Sequence, residues 1–292
     1  MNSNIEKLLE GVVQALESID TNEQFICYLD FISKCTSYSW MNQLLIFMQN
    51  PESTYCAGYK TWITKFGRHV NAGEKAIRIV APMIKKVEQI KEPNNPNEFY
   101  DSKAEKEIKS VITGYKQVSI FDISQTSPID GNTKPLPVLI SGLIGDSDEL
   151  QRIYNDILNV VSMEHEVVAV VKTAAKGSFD ITTGKITVRS DMDTAAMIKT
   201  LLHEWSHANH MIDDEALNMS RAQKEIVAES CSYILCHKLG ISTEDYSFPY
   251  IKSWMNSTDD IKSVSLAINE VTNKMIDKLA ANNAAFSFLK EE

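Results

Sequence analysis

No uninterrupted apolar run of membrane-spanning length occurs in the 292-residue chain, and acidic residues stand near its N-terminus where a secretory leader would be basic and then apolar. Neither a transmembrane helix nor a signal peptide is expected, so the chain reads as cytoplasmic with no membrane partner. Cysteine offers no scaffold: there are five, an odd number in no regular framework, which predicts reduced thiols. Cys231 and Cys236 stand five apart with His237 adjacent, a spacing unsuited to a C-x-x-C knuckle, so they read as core cysteines. No internal repeat is present. What remains is an ordinary folded composition, 43% hydrophobic and 23% charged, in a chain long enough for two domains.

Histidine is scarce too, with six in the chain, which makes its one regular arrangement informative. His203-Glu204-Trp205-Ser206-His207 is an H-E-x-x-H motif, and with 6 His and 22 Glu about 0.01 such matches are expected by chance. Around it Met197, Ile198, Leu201, Leu202, Trp205 and Ala208 recur as one helical apolar stripe, with Asp191 and Asp193 placed as N-terminal caps. Histidines four apart on a helix sit one above the other, so both imidazoles reach one Zn²⁺. Glu204 then projects near the metal without binding it. There a carboxylate takes a proton from water and returns it to a leaving amine, which is peptide hydrolysis without a covalent intermediate.

A catalytic zinc site has three protein ligands, so one more is required. The extended zincin pattern would place Gly at 210 and His at 213, whereas this chain has His210 and Asp213. A stronger candidate is the helical segment 224–235, where Glu225 and Glu229 share one face of a largely apolar helix. Glu225 is assigned as the third ligand and Glu229 as the acceptor that orients a ligating imidazole. Two solvated surface glutamates are the alternative. Two imidazoles and a carboxylate suit Zn²⁺ and accept another divalent transition metal such as Mn²⁺, Fe²⁺, Co²⁺ or Ni²⁺. His210 is read either as a transition-state hydrogen-bond donor or as a surface residue.

The net charge of −10 is unevenly placed. Residues 34 to 86 hold eight Lys/Arg against two acids, a balance of +6, while 127 onward hold 15 against 24, a balance of −9. A basic segment in an acidic chain is a candidate footprint for a polyanion. Pro128, Gly131, Pro135 and Pro137 mark a linker at 127–137, and 91–103 reads as a long loop. This gives an N-terminal domain at 1–126 and a C-terminal domain at 138–292.

In the first domain, 3–18 and 22–50 read as helices, the second breaking near 37–39. Thr54–Tyr59 and Ala76–Ala81 are strand-like, the latter ending at Pro82; Thr61–Phe66 is a short helix, and Val111–Ile123 supplies one or two strands. Aromatic and basic residues alternate here: Tyr38, Trp40, Tyr59, Lys60, Trp62, Lys65, Arg68, Lys75 and Arg78. Flat rings beside cations suit unpaired bases and phosphates, although such rings also pack in cores.

The run Tyr38-Ser39-Trp40-Met41-Asn42-Gln43-Leu44-Leu45-Ile46, with Gly58–Trp62, Gly67–Val70, Gly73–Ile77, Ala81-Pro82 and the closing segment Val118–Thr126, resembles the N-terminal single-stranded-DNA-binding domain of ArdC-type antirestriction proteins. Through that resemblance Asn42 joins the candidate DNA contacts. The C-terminal half is similar to that family's metallopeptidase domain, and more distantly to ImmA/IrrE peptidases, through Gly177-Ser178-Phe179-Asp180, the strand Lys185–Arg189, the H-E-x-x-H motif, and Glu225-x-x-Ala228-Glu229. The resemblance implies a zincin-like fold and a mobile-element setting.

The expectation is a two-domain α+β protein. A mixed α/β single-stranded-DNA-binding module precedes a zinc-peptidase-like domain with a helix near 147–162, strands near 166–172 and 184–189, the active-site helix and the Glu225 helix. Its metal ligands are His203, His207 and Glu225, and its general base is Glu204. One reading has the protein coat incoming single-stranded DNA. The alternative is a regulatory metalloprotease, with an unknown protein substrate among repressors or restriction-related proteins, for which DNA only sets location. A third reading, a protein-binding module with a degenerate site, is disfavoured by the intact Glu204.

Overall fold

The computed structural model describes residues 22–34, 38–90, 106–131, 143–210, 218–243 and 261–290. The expected helix at 3–18, the loop at 91–103 and Asp213 lie wholly or largely outside them. Helix α1 (Asn22–Lys34) buries Phe25, Tyr28, Leu29 and Ile32, a stripe at helical spacing, and α2 (Trp40–Gln49) buries Leu44, Leu45 and Ile46. Strand β1 (Cys56–Gly58) leads directly into α3 (Tyr59–Thr64) and then β2 (Arg68–Val70).

The main N-terminal feature is a long hairpin of β3 (Ile77–Ile90) and β4 (Lys106–Asp122), paired from Ile77 opposite Ile120 to Ile90 opposite Lys106, with a register shift between Met83 and Ile84. With β1 on the other side of β4 the sheet order is β1-β4-β3, which leaves β3 an edge. Two side-chain amides of α2 occupy that edge. Asn42 donates to the Val80 carbonyl at 2.8 Å and accepts from its N–H at 2.9 Å, and Gln49 does the same for Arg78, at 2.9 and 2.8 Å. They replace the missing neighbour strand.

The hairpin also corrects an expectation. Ala76–Ala81 was expected to end at Pro82, yet β3 continues through it. Residues 78 and 80 turn their N–H groups to the outer edge, so the alternate position 82 does too, and a proline there removes no hydrogen bond to β4.

Asp122 closes the N-terminal half by accepting from the backbone of Thr54, Tyr55 and Ser124. The next residues form β5 (Thr126–Pro128), paired with β2, and Ile129 donates to the Gly67 carbonyl at 2.8 Å. Residues 127 to 129 therefore belong to this unit, not to a linker; of the remaining linker, 132–137 are not described.

In the C-terminal half Ser147 caps α4 (Asp148–Val161), followed by β6 (Val167–Val170), β7 (Gly177–Asp180) and β8 (Lys185–Arg189). The order is β6-β8-β7, with β6 parallel and β7 antiparallel to β8. Then come α5 (Thr194–His210), α6 (Arg221–Lys238) and α7 (Ile261–Asn282). The edge strand β7 was not expected as a strand; its four residues lack the alternating apolar pattern.

Helices α5 and α6 pack together at the centre, with β7, β8 and α4 against α5 and with α7 against both. Cys231 and Cys236 are fully buried, and burial pushes their thiols up to about 11 and about 12. The apolar cluster is continuous from Phe25 and Leu45 through Trp205 and Tyr233 to Leu279, and the Tyr233 hydroxyl donates to Asp30 at 3.4 Å. The fold is mixed α and β; among the described residues no helix is long and apolar enough to cross a membrane.

Candidate metal centre

Helix α5 is started by two aspartates. Asp193 accepts from the Ala196 N–H at 2.8 Å, and Asp146 accepts from the Thr194 N–H at 2.8 Å and its hydroxyl at 2.6 Å. Asp191, expected as a cap, instead pairs with Arg189 at 3.1 Å. Ile198, Leu201, Leu202, Trp205 and Ala208 face the core, and this fixes the rotation of the helix. The face carrying His203 and His207 then meets α6, whose start is set by the Ser220–Gln223 capping box.

His203, His207 and Glu225 converge, each offering one ligand atom within 4.8 Å of the others. The Nε2 atoms of His203 and His207 are 3.2 Å apart, and Oε2 of Glu225 lies 3.4 Å from the first and 3.7 Å from the second. Behind them Nδ1 of His203 is 3.2 Å from Oε2 of Glu229, whose other oxygen is ion-paired with Lys199. That contact leaves Nε2 of His203 directed at the Glu225 side.

Electrostatics follow from burial and these contacts. Burial alone would lower His203, but the hydrogen bonds of Glu225 and Glu229 and the charge of Glu204 outweigh it and raise its pKa to about 9. Glu225 is held well below the usual carboxylate range by hydrogen bonds from both histidines. Burial pushes Glu229 up, yet His203 and Lys199 outweigh it and leave it lowered. Glu204, 8% exposed, is raised chiefly by burial, against the charges of His203 and His207.

Strand β7 runs along Glu204, and the Phe179 backbone beside its carboxylate works to lower its pKa, against the larger effect of burial. The approach is so close that a Cβ on Gly177 would lie 2.6 Å from Cγ2 of Thr200 and 2.9 Å from Cγ and Oε1 of Glu204. Only glycine leaves the strand there undisturbed. These groups line a cavity of about 760 Å³, open to solvent.

Two nitrogens and one carboxylate oxygen directed at a common point fit a divalent transition metal, the donor set of a three-ligand site with an open position. Glu204 stands beside that point as an unligated carboxylate. Sequence reasoning missed Lys199 and the role of Gly177. Lys199 lies one turn before His203, a spacing that places it on the same helical face.

Other candidates fare differently. His210 is 4% exposed and does not line the cavity, so neither a transition-state role nor a surface role describes it. Trp62 is fully buried against Tyr55 and Phe66 and donates to the Phe121 carbonyl at 2.9 Å, so no base can stack on it. Asn42 is committed to the β3 edge, Tyr38 donates to the Cys56 carbonyl at 2.8 Å, and Arg68 donates to Thr126 twice at 2.8 Å. These four serve the fold. Tyr59, Lys60, Lys65, Lys75 and Arg78 are exposed, Arg78 donating to the Ser119 hydroxyl; the Trp40 side chain lies outside the described residues.

Residues 1–121 match the family model described as the N-terminal domain of anti-restriction factor ArdC. An uncharacterized Bacillus anthracis protein, pXO2-81, is 25% identical, and the alignment takes in 91% of this chain and 48% of that protein, so the chain spans about half the length of this relative. Two crystal structures of the antirestriction ArdC protein from the R388 plasmid, one metal-free and one with Mn(II), are similar at 15% and 18% identity, with TM-scores of 0.47 and 0.46, over 84% of this chain and 86% of theirs.

Proposed function

We propose that this chain, whose residues 1–121 match the model of the N-terminal domain of anti-restriction factor ArdC, is an ArdC-type antirestriction protein, a cytoplasmic mobile-element protein that binds single-stranded DNA and carries a metal-dependent peptidase site. The observation that carries the peptidase reading is the convergence of His203, His207 and Glu225 beside the unligated carboxylate of Glu204.

His203, His207 and Glu225 would hold the metal, Zn²⁺ or another divalent transition ion. When bound, it supplies Lewis-acid polarisation of a peptide carbonyl and acidifies water. Glu229 and Lys199 hold the His203 ring so that Nε2 remains the ligating atom. Burial raises the Glu204 carboxyl toward the range of a working general base. Its oxygen accepts the proton of the attacking water and delivers it to the leaving amine, while the β7 backbone at Gly177 closes off one side of it.

Single-stranded DNA binding rests on the exposed Tyr59, Lys60, Lys65, Lys75 and Arg78, to which the hairpin adds exposed Lys85, Lys86 and Lys116. Labelled single-stranded and duplex oligonucleotides in a salt series test it. Salt-sensitive preference for the single strand is expected, and no binding at low salt refutes it.

The alternative is a regulatory metalloprotease cleaving a repressor or restriction-related protein, with DNA serving only to localise it. The retained base Glu204 favours it, because DNA coating needs no such group. Glu204→Gln separates the two: antirestriction in cells survives the change if coating suffices and is lost if proteolysis is the function.

A further inference from the structure

From Pro82 and Tyr115 onward both faces of the β3–β4 hairpin are open to solvent. The strands stay paired to Ile90 opposite Lys106, and β3 from Pro82 makes about 30 Å of ribbon at about 3.4 Å per residue. Edge cover lies nearer the base: β1 pairs with β4 at Ile120–Asp122, and Gln49 and Asn42 hold the β3 edge at Arg78 and Val80. Side chains alternate between the faces, with Pro82, Ile84 and Lys86 on one and Met83, Lys85 and Val87 on the other, and cross-strand partners share a face. Ile84 and Ile112 are thus an apolar pair, 62% and 55% exposed, and Lys85 stands opposite the exposed Val111. Among the ribbon's described side chains, at 82–87 and 110–116, Lys85, Lys86 and Lys116 are the only charged ones. A two-stranded ribbon is marginal in water by itself, so an apolar and basic surface of this kind calls for an anionic partner.

We propose that the ribbon lies in the major groove of duplex DNA, with the aliphatic side chains of one face against the base edges and the three lysines on the phosphates along the groove. A two-stranded ribbon fits that groove, which is about 12 Å wide, and aliphatic groups complement the thymine methyls there. A single strand asks for rings to stack on, and the described part of the ribbon has one, Tyr115. An anionic membrane would bring the open strand edges into hydrocarbon, where their N–H and C=O groups find no partner. Lysines at the neighbouring positions 85 and 86 of an edge strand oppose strand addition by a second copy. Duplex RNA has a major groove too deep and narrow for side chains to read. The contact is independent of single-strand binding by Tyr59, Lys60 and their neighbours, and it gives Lys85, Lys86 and Lys116 a duplex partner.

Anisotropy of a labelled blunt duplex and of its labelled single strand, titrated with full-length protein across a salt series, tests this. Three lysine–phosphate contacts on a duplex contribute about 2.7 to the slope of log affinity against log salt. Lys85→Glu/Lys86→Glu/Lys116→Glu is expected to remove that share and to weaken duplex binding about tenfold or more at low salt. Ile84→Ser/Ile112→Ser is expected to weaken duplex binding with the slope unchanged. All five positions are exposed, so both variants are expected to fold, and their thermal midpoints check this. Duplex affinity and slope unchanged in the lysine variant overturn the proposal, as does a loss on the single strand as large as that on the duplex, or binding of anionic vesicles without binding of duplex. Unchanged duplex affinity in the isoleucine variant overturns placement in the groove. If the single strand goes unbound while duplex binding depends on the ribbon, the single-strand reading falls and the duplex contact stands.

Discussion

Oε2 of Glu229 lies 3.2 Å from Nδ1 of His203, and the partner oxygen of that carboxylate is ion-paired with Lys199. The three groups form a chain from a half-buried cation to a candidate metal ligand, and two of them come from α5, one turn apart. A carboxylate behind a ligating imidazole fixes both its tautomer and its orientation. Glu229→Gln and Lys199→Met are each expected to weaken divalent-metal binding by about 10- to 100-fold, read by competitive titration with a chromogenic chelator. Unchanged affinity in both would deny the pair any hold on His203.

Gly177 leaves room for Glu204, the proposed general base, by its lack of a side chain. In Gly177→Ala the new Cβ meets Thr200 and Glu204 at distances no real contact shows, so either β7 or the Glu204 carboxylate must move. Peptide hydrolysis is expected to fall about a hundredfold with metal affinity retained, since a displacement near 1 Å at a catalytic group costs about that much. Full activity in Gly177→Ala would show that the base is not held by the strand.

The division between fold-forming and exposed aromatics predicts opposite outcomes for two substitutions. Trp62→Phe is expected to lower stability while leaving single-strand affinity in place, because the ring is sealed in the core. Lys60→Glu/Lys65→Glu is expected to leave stability alone and to flatten the salt dependence by about 1.4, the loss of two phosphate contacts on a single strand. A salt slope unchanged in the lysine variant moves the DNA footprint elsewhere.

Lys238 sets a pH dependence in the C-terminal half. Burial lowers its pKa from 10.5 to about 8, with its ammonium donating to the Leu289 carbonyl at 3.1 Å. The folded pKa lies below the unfolded one, so between about pH 8 and pH 10.5 the unfolded chain binds more protons and this residue's contribution to stability rises with pH. Urea midpoints across that window are expected to show a rising contribution that Lys238→Met abolishes. An identical pH profile in the variant would contradict it.

The helix that carries His203 and His207 was legible because its signals are local: histidines at helical spacing, an apolar stripe and an N-terminal aspartate. Glu225 and Glu229 were legible for a similar reason, as two acids on one face of a helix whose other positions are apolar. What escaped depends on tertiary placement. Nothing in the pattern Gly177-Ser178-Phe179-Asp180 says that its backbone passes against Glu204. The aromatic-basic alternation misled because Trp62 and Arg68 satisfy their polar groups within the fold, on Phe121 and Thr126, partners about 60 residues away in sequence. Pro82 misled because its meaning depends on which edge of β3 is free.

The most direct test is a calorimetric titration of Mn²⁺ and Zn²⁺ into metal-free full-length protein, wild type beside Glu225→Ala and Glu204→Gln. One site per chain is expected in the wild type, retained in Glu204→Gln and lost or severely weakened in Glu225→Ala. Binding that persists unchanged without Glu225, or no binding by the wild-type chain, would contradict the assignment of His203, His207 and Glu225 as a metal centre.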